Sequence, residues 1–402
     1  MRGPLAGVRV LELGHDWACP HAARVLADFG AEVIKIEYPR RLDGMRGGVK
    51  KDRMYDRRPR FHQLHRNKRS LTLDLGRPSD LQSFKDLVRV SDVVIENSRC
   101  GVLERLGVGY GVLQGLKPDL ILVSMTAFGS SGPYASYAGY GGTLEALSGI
   151  QSLTAYDGDT APNRVREMDV TNGILGACAV LTALVDRRRT GLGQRIDLSQ
   201  LEAATSGLIG ERIMEQAKNG RVAPPAGNRH PEWAPHGCYR CDGPDRWVVI
   251  AVRSEREWAR LCEAMGRAEW ARDPRFKDSA ARRLQHDEID RRIEEWTLGR
   301  SDLEAMHLLQ DAGVAAGAAL DAAQLASDPH LRARGYFQTA ADGSGLFPGV
   351  PIRLSGGGGE VAWRGPDLGR DNARILCDLL DRSPDDVAPL DEGSIGTAFE
   401  IE

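Results

Sequence analysis

The sequence predicts an α/β fold, a large domain built on a parallel sheet together with a smaller α+β domain. Three observations carry that prediction. The first 37 residues read strand, helix, strand, and such a βαβ unit forms parallel pairs through a right-handed crossover. Strand-like apolar runs then keep alternating with helix-like runs as far as residue 216. Glycine is plentiful (46 residues) and aromatics are sparse (6%), which suits short elements joined by tight turns.

In order, residues 8–13 form a short apolar strand, 14–20 a turn, and 21–29 carry apolar residues at helical spacing, with Gly30 as the stop. Strands are predicted at 33–37, 70–75, 92–97, 120–125 and 195–198, and helices at 79–90, partly at 102–113, and at 143–148. A polar Asp/Gly/Pro loop covers 155–162. The long helix 169–187 is dominated by small and apolar side chains (Gly173-Ile174-Leu175-Gly176-Ala177-Cys178-Ala179-Val180), so another backbone can approach it closely. A helix at 201–216 closes this region. Residues 218–236 are polar and rich in Pro, Gly and Asn, the composition of a linker. The smaller domain, 237–335, shows a strand at 247–252 and helices at 255–265 and 287–298. A glycine-rich stretch at 343–359 and a helix at 372–380 complete the chain.

A length of 402 residues suggests two or three domains. The net charge of −3 argues against a general nucleic-acid binder. No uninterrupted apolar run reaches about 18 residues, so no membrane-spanning helix is expected. The segment Met1-Arg2-Gly3-Pro4-Leu5 lacks the apolar core of a secretion signal, and a cytoplasmic location is expected. Seven scattered cysteines do not form a disulfide framework.

Several motifs admit two readings. The opening βαβ unit suggests a dinucleotide site with Glu37 on the ribose. The turn Gly14-His15-Asp16-Trp17-Ala18-Cys19-Pro20, however, has no GxGxxG pattern and puts bulky Trp17 where a backbone must approach pyrophosphate. Cys238-Tyr239-Arg240-Cys241, with His230 and His236 upstream, has the donors for zinc. The same residues, flanked by Gly237 and Asp242-Gly243, also read as a hairpin. Residues 40–69 are locally basic, either as a solvated loop or as a lure for an anionic ligand such as phosphate. With only Tyr55 and Phe61 beside the histidines, the segment is a poor platform for bases. Gly139-Tyr140-Gly141-Gly142 reads as a turn. Asp169, at the start of the small-residue helix, is either an N-cap or a carboxylate nucleophile, kept ionised by the helix N-terminus.

Taken together, segments along nearly the whole chain resemble the family III CoA-transferases, the group of formyl-CoA transferase and carnitine CoA-transferase. They are Leu5-Ala6-Gly7-Val8-Arg9-Val10-Leu11, the run from Leu26-Ala27-Asp28-Phe29-Gly30 to Lys35-Ile36-Glu37, Asn67-Lys68-Arg69-Ser70-Leu71-Thr72-Leu73-Asp74-Leu75, Glu96-Asn97-Ser98-Arg99-Cys100-Gly101-Val102-Leu103-Glu104-Arg105-Leu106-Gly107, Thr190-Gly191-Leu192-Gly193-Gln194-Arg195-Ile196-Asp197 and Asp328-Pro329-His330-Leu331. The resemblance implies that Asp169 is the catalytic aspartate. CoA would pass from an acyl-CoA donor to a free carboxylic acid through an aspartyl-CoA intermediate, with CoA as substrate and no permanently bound cofactor. It further implies CoA contacts at Leu73, Asn97, Arg99, Arg105 and Tyr140, while His15 and Trp17 in the first turn are candidates for the acyl pocket. Two positions depart from the family pattern: Tyr38 where an arginine often follows the second strand, and Cys19 where a glycine usually precedes the proline. In architecture the resemblance implies a Rossmann-like large domain, discontinuous over 1–217 and 336–402, a small domain at 237–335, and an interlocked homodimer without nucleic-acid or membrane partners. The rival is a 2-methylacyl-CoA racemase, which shares the aspartate but pairs it with a histidine for α-proton exchange. Tyr140 stands in that histidine's place.

Overall fold

The computed structural model describes residues 3–156, 164–165, 167–222, 224–387, 390 and 392–396. The chain forms two compact units. One comprises Met1–Gln151, Arg164–Val222 and Arg332–Glu402, and the other Ser152–Asn163 and Ala223–Leu331.

The larger unit begins β1 (Arg9–Leu13), α1 (Ala18–Asp28), β2 (Glu32–Glu37), α2 (Pro59–Leu64), β3 (Lys68–Thr72), α3 (Pro78–Arg89) and β4 (Val93–Glu96). It continues with α4 (Val102–Arg105), α5 (Tyr110–Leu116), β5 (Ile121–Thr126), α6 (Gly141–Leu147), α7 (Met168–Thr190), β6 (Arg195–Ser199), α8 (Gln200–Leu208) and α9 (Gly210–Asn219). The six strands form one sheet in the order β3-β2-β1-β4-β5-β6, and every adjacent pair is parallel. This is the doubly wound order, whose ligand crevice opens at the carboxyl ends of the strands where the order reverses, here between β1 and β4.

Strand alternation divides the apolar residues between two layers. Val10, Val33, Val93, Ile95, Ile121, Val123 and Met125 pack with α1 and α7. Leu11, Ile34, Ile36, Leu71, Val94 and Leu122 pack on the opposite face with Phe84, Leu87 and Leu113. Alternation also puts Glu12, Lys35, Glu37, Lys68 and Ser70 on the α1 side, all buried. A buried charge needs a partner, and the segment 40–69 provides several.

The expectation that residues 40–69 form either a solvated loop or a phosphate lure is therefore corrected for their central cations. Arg46 is buried between Glu37, which it grips with Nε at 2.7 Å and Nη2 at 2.8 Å, and Asp56 at 2.7 Å. Lys68 lies 2.7 Å from Glu12, and Arg66 forks onto Asp28 at 2.9 and 2.7 Å. Arg40, Arg41, Lys50, Lys51, Arg53, Arg57 and Arg60 remain exposed.

The helix α1 starts at Ala18, three residues earlier than predicted. Pro20 falls in its first turn, where the missing N–H has no helical partner to lose. The predicted helix 201–216 is two helices, α8 and α9, broken at Ile209 (φ −128°, ψ 8°) between Gly207 and Gly210. The helix α7 is long and apolar enough to cross a membrane by length and composition alone, a test that the core helix of a soluble fold also passes. Its glycine stripe instead lies against α1 and β5. A Cβ on Gly173 would sit 2.8 Å from His21 Cβ, and one on Gly176 would sit 2.6 Å from Met125 Sδ.

The smaller unit contains β7 (His236–Arg240), β8 (Trp247–Ala251), α10 (Glu255–Ala264), α11 (Ser279–Leu284), α12 (His286–Thr297), α13 (Asp302–Asp311), β9 (Ala315–Ala318) and α14 (Ala322–Ser327). Its antiparallel sheet, in the order β7-β8-β9, is packed by Trp258, Leu261, Ile289, Ile293 and Leu309. Cys238 lies within the β7–β8 hairpin and Cys241 just after β7. Among the described residues no three His, Cys, Asp or Glu side chains converge as a metal site.

The chain then runs through α15 (Pro329–Ala333), β10 (Phe337–Thr339), β11 (Leu346–Pro348) and α16 (Asn372–Leu380). Residues 363–372 cover the β3 edge of the large sheet. Ser70 N–H donates to Asp371 (3.0 Å), Thr72 N–H to Asn372 (2.9 Å), and Trp363 Nε1–H to the Lys68 carbonyl (2.8 Å). An edge strand's free N–H groups are thereby satisfied.

Candidate active site

The turn after β1 and the loop after β4 meet at the point where strand order reverses. Lys35 anchors the turn from below, with Nζ donating to the Gly14 carbonyl (2.7 Å) and to Asp43 (2.8 Å). Asn97 closes the junction from the β4 side. His15 N–H donates to its Oδ1 (2.8 Å), and its Nδ2 donates back to the His15 carbonyl (2.9 Å). Asp16 takes a left-handed backbone (φ 62°), a conformation that Asp tolerates better than most residues. Burial pushes its carboxyl up from the usual range, and the charges of Asp43 and then Asp169 add to the effect. The His15 imidazole is held down chiefly by burial and then by Lys35. Trp17, half-buried, accepts the His21 N–H at 2.7 Å through its carbonyl as α1 begins.

Asp169 is the second residue of α7, not its N-cap. Glu167 occupies the cap and makes no side-chain capping bond. The tight α1–α7 seam around Gly173 sets the Asp169 end of α7 beside the first turn, since Gly173 packs on both His21 and the Ala18 carbonyl. The half-buried Asp169 carboxylate rests on the backbone of Gly141, where a Cβ would stand 2.7 Å from Oδ2 and 3.3 Å from Cγ. Among the described residues no hydrogen bond reaches this carboxylate. Burial raises its pKa above the ordinary value, the neighbouring Glu145 charge raises it further, and Arg164 opposes them.

The other predicted positions fall along the same carboxyl edge. Tyr140, 66% exposed, precedes Gly141 and caps α6, its N–H donating to Thr143 Oγ1 at 2.9 Å. Arg99 and Arg105 are exposed on the loop after β4 and on α4. Leu73 follows β3 and has its side chain in the core with Ile36 and Phe84. Asn97 and Leu73 end strands separated by β1 and β2, a span on the order of 14 Å at the usual strand spacing.

Sequence reasoning missed Glu145 and Arg164. Glu145 on α6 is 1% exposed, and its Oε2 accepts from Arg164 Nε at 3.1 Å. Arg164 lies over Gly142, where a Cβ would meet its Cζ at 3.1 Å. The glycine pair at 141–142, read as a turn, is thus a flat surface on which the Asp169 carboxylate and the Arg164 guanidinium rest side by side. Nothing in the spacing of Glu145 marks it as buried, and only the pair of adjacent glycines offered a signal.

The arrangement provides a carboxylate that is unengaged and more basic than usual, at the crevice where doubly wound folds bind ligands. Such a group is equipped for nucleophilic attack on an activated carbonyl. Comparison with known proteins agrees in class. Residues 5–372 match CoA-transferase family III. A succinyl-CoA–D-citramalate CoA-transferase of Chloroflexus aurantiacus is 38% identical, the match covering 96% of each chain. A succinate–glutarate CoA-transferase of Agrobacterium fabrum is 32% identical over 94% of this chain and 96% of its own. The crystal structure of a CAIB/BAIF family protein from Brucella suis superposes with a TM-score of 0.84 at 30% identity, covering 94% of this chain and all of that one.

Proposed function

Because the chain belongs to CoA-transferase family III, and is therefore a CoA-transferase, we propose that it works through a covalent aspartyl-CoA intermediate on Asp169. The observation that carries this reading is the Asp169 carboxylate itself, half-buried on Gly141 and free of hydrogen bonds from described residues. Asp169 attacks the donor thioester carbonyl, and the C–S bond breaks to give an acyl-aspartyl anhydride and CoA thiolate. The thiolate attacks the aspartyl carbonyl, releasing the donor acid as a carboxylate and leaving aspartyl-CoA. The acceptor carboxylate then attacks this thioester and expels the thiolate. The thiolate takes the new acyl group from the second anhydride and regenerates Asp169. Charge and atoms balance at each step, and no external oxidant, reductant or proton donor is required.

A raised pKa assists the first step, since a more basic carboxylate is a better nucleophile while it remains ionised. The donor and acceptor are inferred from relatives named for succinyl-CoA or succinate and for D-citramalate or glutarate. They support succinyl-CoA as donor and a five-carbon dicarboxylic or hydroxydicarboxylic acid as acceptor. Coenzyme A would lie along the carboxyl edge. There, Arg99 and Arg105 face its phosphates, Tyr140 lies beside its reacting end, and Asn97 fixes the turn that borders the acyl group. Leu73, with its side chain in the core, would contribute backbone contact. His15 and Trp17 would border the acyl pocket. We place the protein in the cytoplasm as a homodimer, with the exposed apolar residues Ile174, Leu175, Leu181 and Val185 of α7 as part of the contact.

Incubation with succinyl-CoA and hydroxylamine tests the chemistry. The expected result is inactivation, with an aspartyl hydroxamate at Asp169 found by peptide mass spectrometry. Cα-proton exchange on a branched acyl-CoA without any acceptor acid would instead establish racemase chemistry and overturn the proposal. Sedimentation equilibrium at a monomer mass would contradict the dimer.

A further inference from the structure

The reacting carboxylate has Glu145 and Asp16 for electrostatic neighbours. An acid substrate brings another negative charge into this surround, and Coulomb repulsion in a partly dehydrated site opposes its entry. One cation is built into the same surface. Arg164 uses Nε on Glu145 (3.1 Å), and this is its one hydrogen bond among the described residues, so its two Nη groups are uncommitted. Its side chain is 51% exposed, whereas its partner Glu145 is 1% exposed. The guanidinium lies over Gly142 just as the Asp169 carboxylate lies over Gly141, and consecutive Cα atoms are about 3.8 Å apart. Yet the two charges make no ion pair within 4.0 Å, which leaves a gap between nucleophile and cation.

A surface arginine serving only to neutralise a buried glutamate would ordinarily offer its bidentate edge to it. Arg164 instead turns its single Nε–H to Glu145 and leaves both Nη groups without a partner among the described residues, a pair of donors able to receive a planar carboxylate. We infer that Arg164 is the acid-binding residue of the site, holding a carboxylate of the substrate acid beside Asp169, and that Glu145 is the positioning residue that aims it. This deepens the reading of the site as an aspartyl-CoA transferase and rests on it. The carboxylate bound is either the one that attacks the aspartyl thioester or the distal one of a dicarboxylic acid.

The test is isotope exchange of a labelled free acid into its own acyl-CoA, because the acid a donor releases is necessarily an acceptor in reverse. Succinate into succinyl-CoA and propionate into propionyl-CoA serve as probes, with Arg164→Gln, Glu145→Gln and the double variant. Arg164→Gln is expected to raise the KM for acid roughly 10- to 100-fold, the worth of a charge-assisted hydrogen bond. The KM for propionyl-CoA, which carries no free carboxylate, and hydroxylamine trapping by propionyl-CoA alone should change little. Loss with both acids assigns Arg164 to the reacting carboxylate, and loss with succinate alone assigns it to the distal one. The double variant separates binding from mere neutralisation, since the acid KM must stay high even with no buried charge left at residue 145. An unchanged acid KM in Arg164→Gln, or full recovery in the double variant, overturns the inference. Failure of hydroxylamine trapping in the wild type would refute the Asp169 intermediate instead, so the two claims fail separately.

Discussion

Replacing Gly173 by alanine is a one-methyl perturbation whose consequence can be worked from the seam between α1 and α7. The new Cβ would stand 2.8 Å from His21 Cβ, 2.9 Å from His21 Cγ and 3.0 Å from the Ala18 carbonyl oxygen, where ordinary contact begins near 3.4 Å. None of these neighbours is the free end of a flexible side chain, so the helices must separate by about 0.6 Å or more. Overpacking of this kind costs about 1–3 kcal/mol, and alanine's better helix propensity returns about 0.5–1 kcal/mol. The net expectation is a loss of up to about 2.5 kcal/mol, centred on about 1 kcal/mol, in urea unfolding. The same separation moves the first turn away from Asp169, which lies one helical turn before Gly173. Misplacement of reacting groups by about 1 Å can cost about 100-fold in rate, so kcat/KM should fall at least about 10-fold. Gly176→Ala is the comparison, because its Cβ meets the flexible end of Met125 at Sδ (2.6 Å) and Cε (2.8 Å), while Ala22 on α1 stands at 3.2 Å and need give by only about 0.2 Å. It should lose up to about 1 kcal/mol for displacing buried Met125 and keep its activity. A Gly173→Ala protein as stable and as active as Gly176→Ala would refute the claim that this seam sets the site.

Asp169→Asn should abolish turnover yet raise stability at neutral pH. A carboxyl whose folded pKa is raised stabilises the folded state only when protonated, so its ionised form is a cost at pH 7. Urea unfolding should show that gain shrinking as pH falls through the raised folded value toward 3.8. In the wild type, kcat should decline with acid over the same range. The folded pKa of His21 is pushed down to about 3, by burial first and then by Arg24. The unfolded chain therefore takes up its proton first, and stability should fall by up to about 1.4 kcal/mol per pH unit below about 6.5. A His21→Gln variant followed by pH-resolved urea unfolding should lack that share of the slope. Arg46→Met would leave Glu37 and Asp56 buried without their cation, and breaking a buried pair in this way costs about 3–5 kcal/mol. Urea unfolding of that variant reads the loss directly.

The strands β1, β2, β4 and β5 were legible because each is a short, largely apolar run set between turn signals, and Gly30 stops α1 as its position suggested. The strand β3 (Lys68–Thr72) instead starts two residues before the predicted 70–75, because its first residues are charged. The start of α1 was misread because a proline inside a helix looks like a stop until it is placed in the first turn. The basic segment was misread for a different reason. Charge density along a chain says nothing of partners that other strands supply. Glu12, Lys35, Glu37 and Lys68 do alternate on their strands, however, and four charges at inward positions were a sign that the face they share needed a charged cover. Asp169 could be found by position, but the place its carboxylate occupies depends on the bare backbone of Gly141, 28 residues earlier in sequence. Glu145 and Arg164 meet only after α6 and the start of α7 have been brought together, so no local pattern contains them.

The central claim is that Asp169 carries CoA during turnover. Intact-protein mass spectrometry after mixing with succinyl-CoA, with borohydride reduction in parallel, tests it most directly. The expected species is heavier by one CoA less water, is converted by borohydride to a residue-169 alcohol and is absent from Asp169→Asn. An Asp169→Asn protein that still forms the adduct, or still transfers CoA at the wild-type rate, would contradict it.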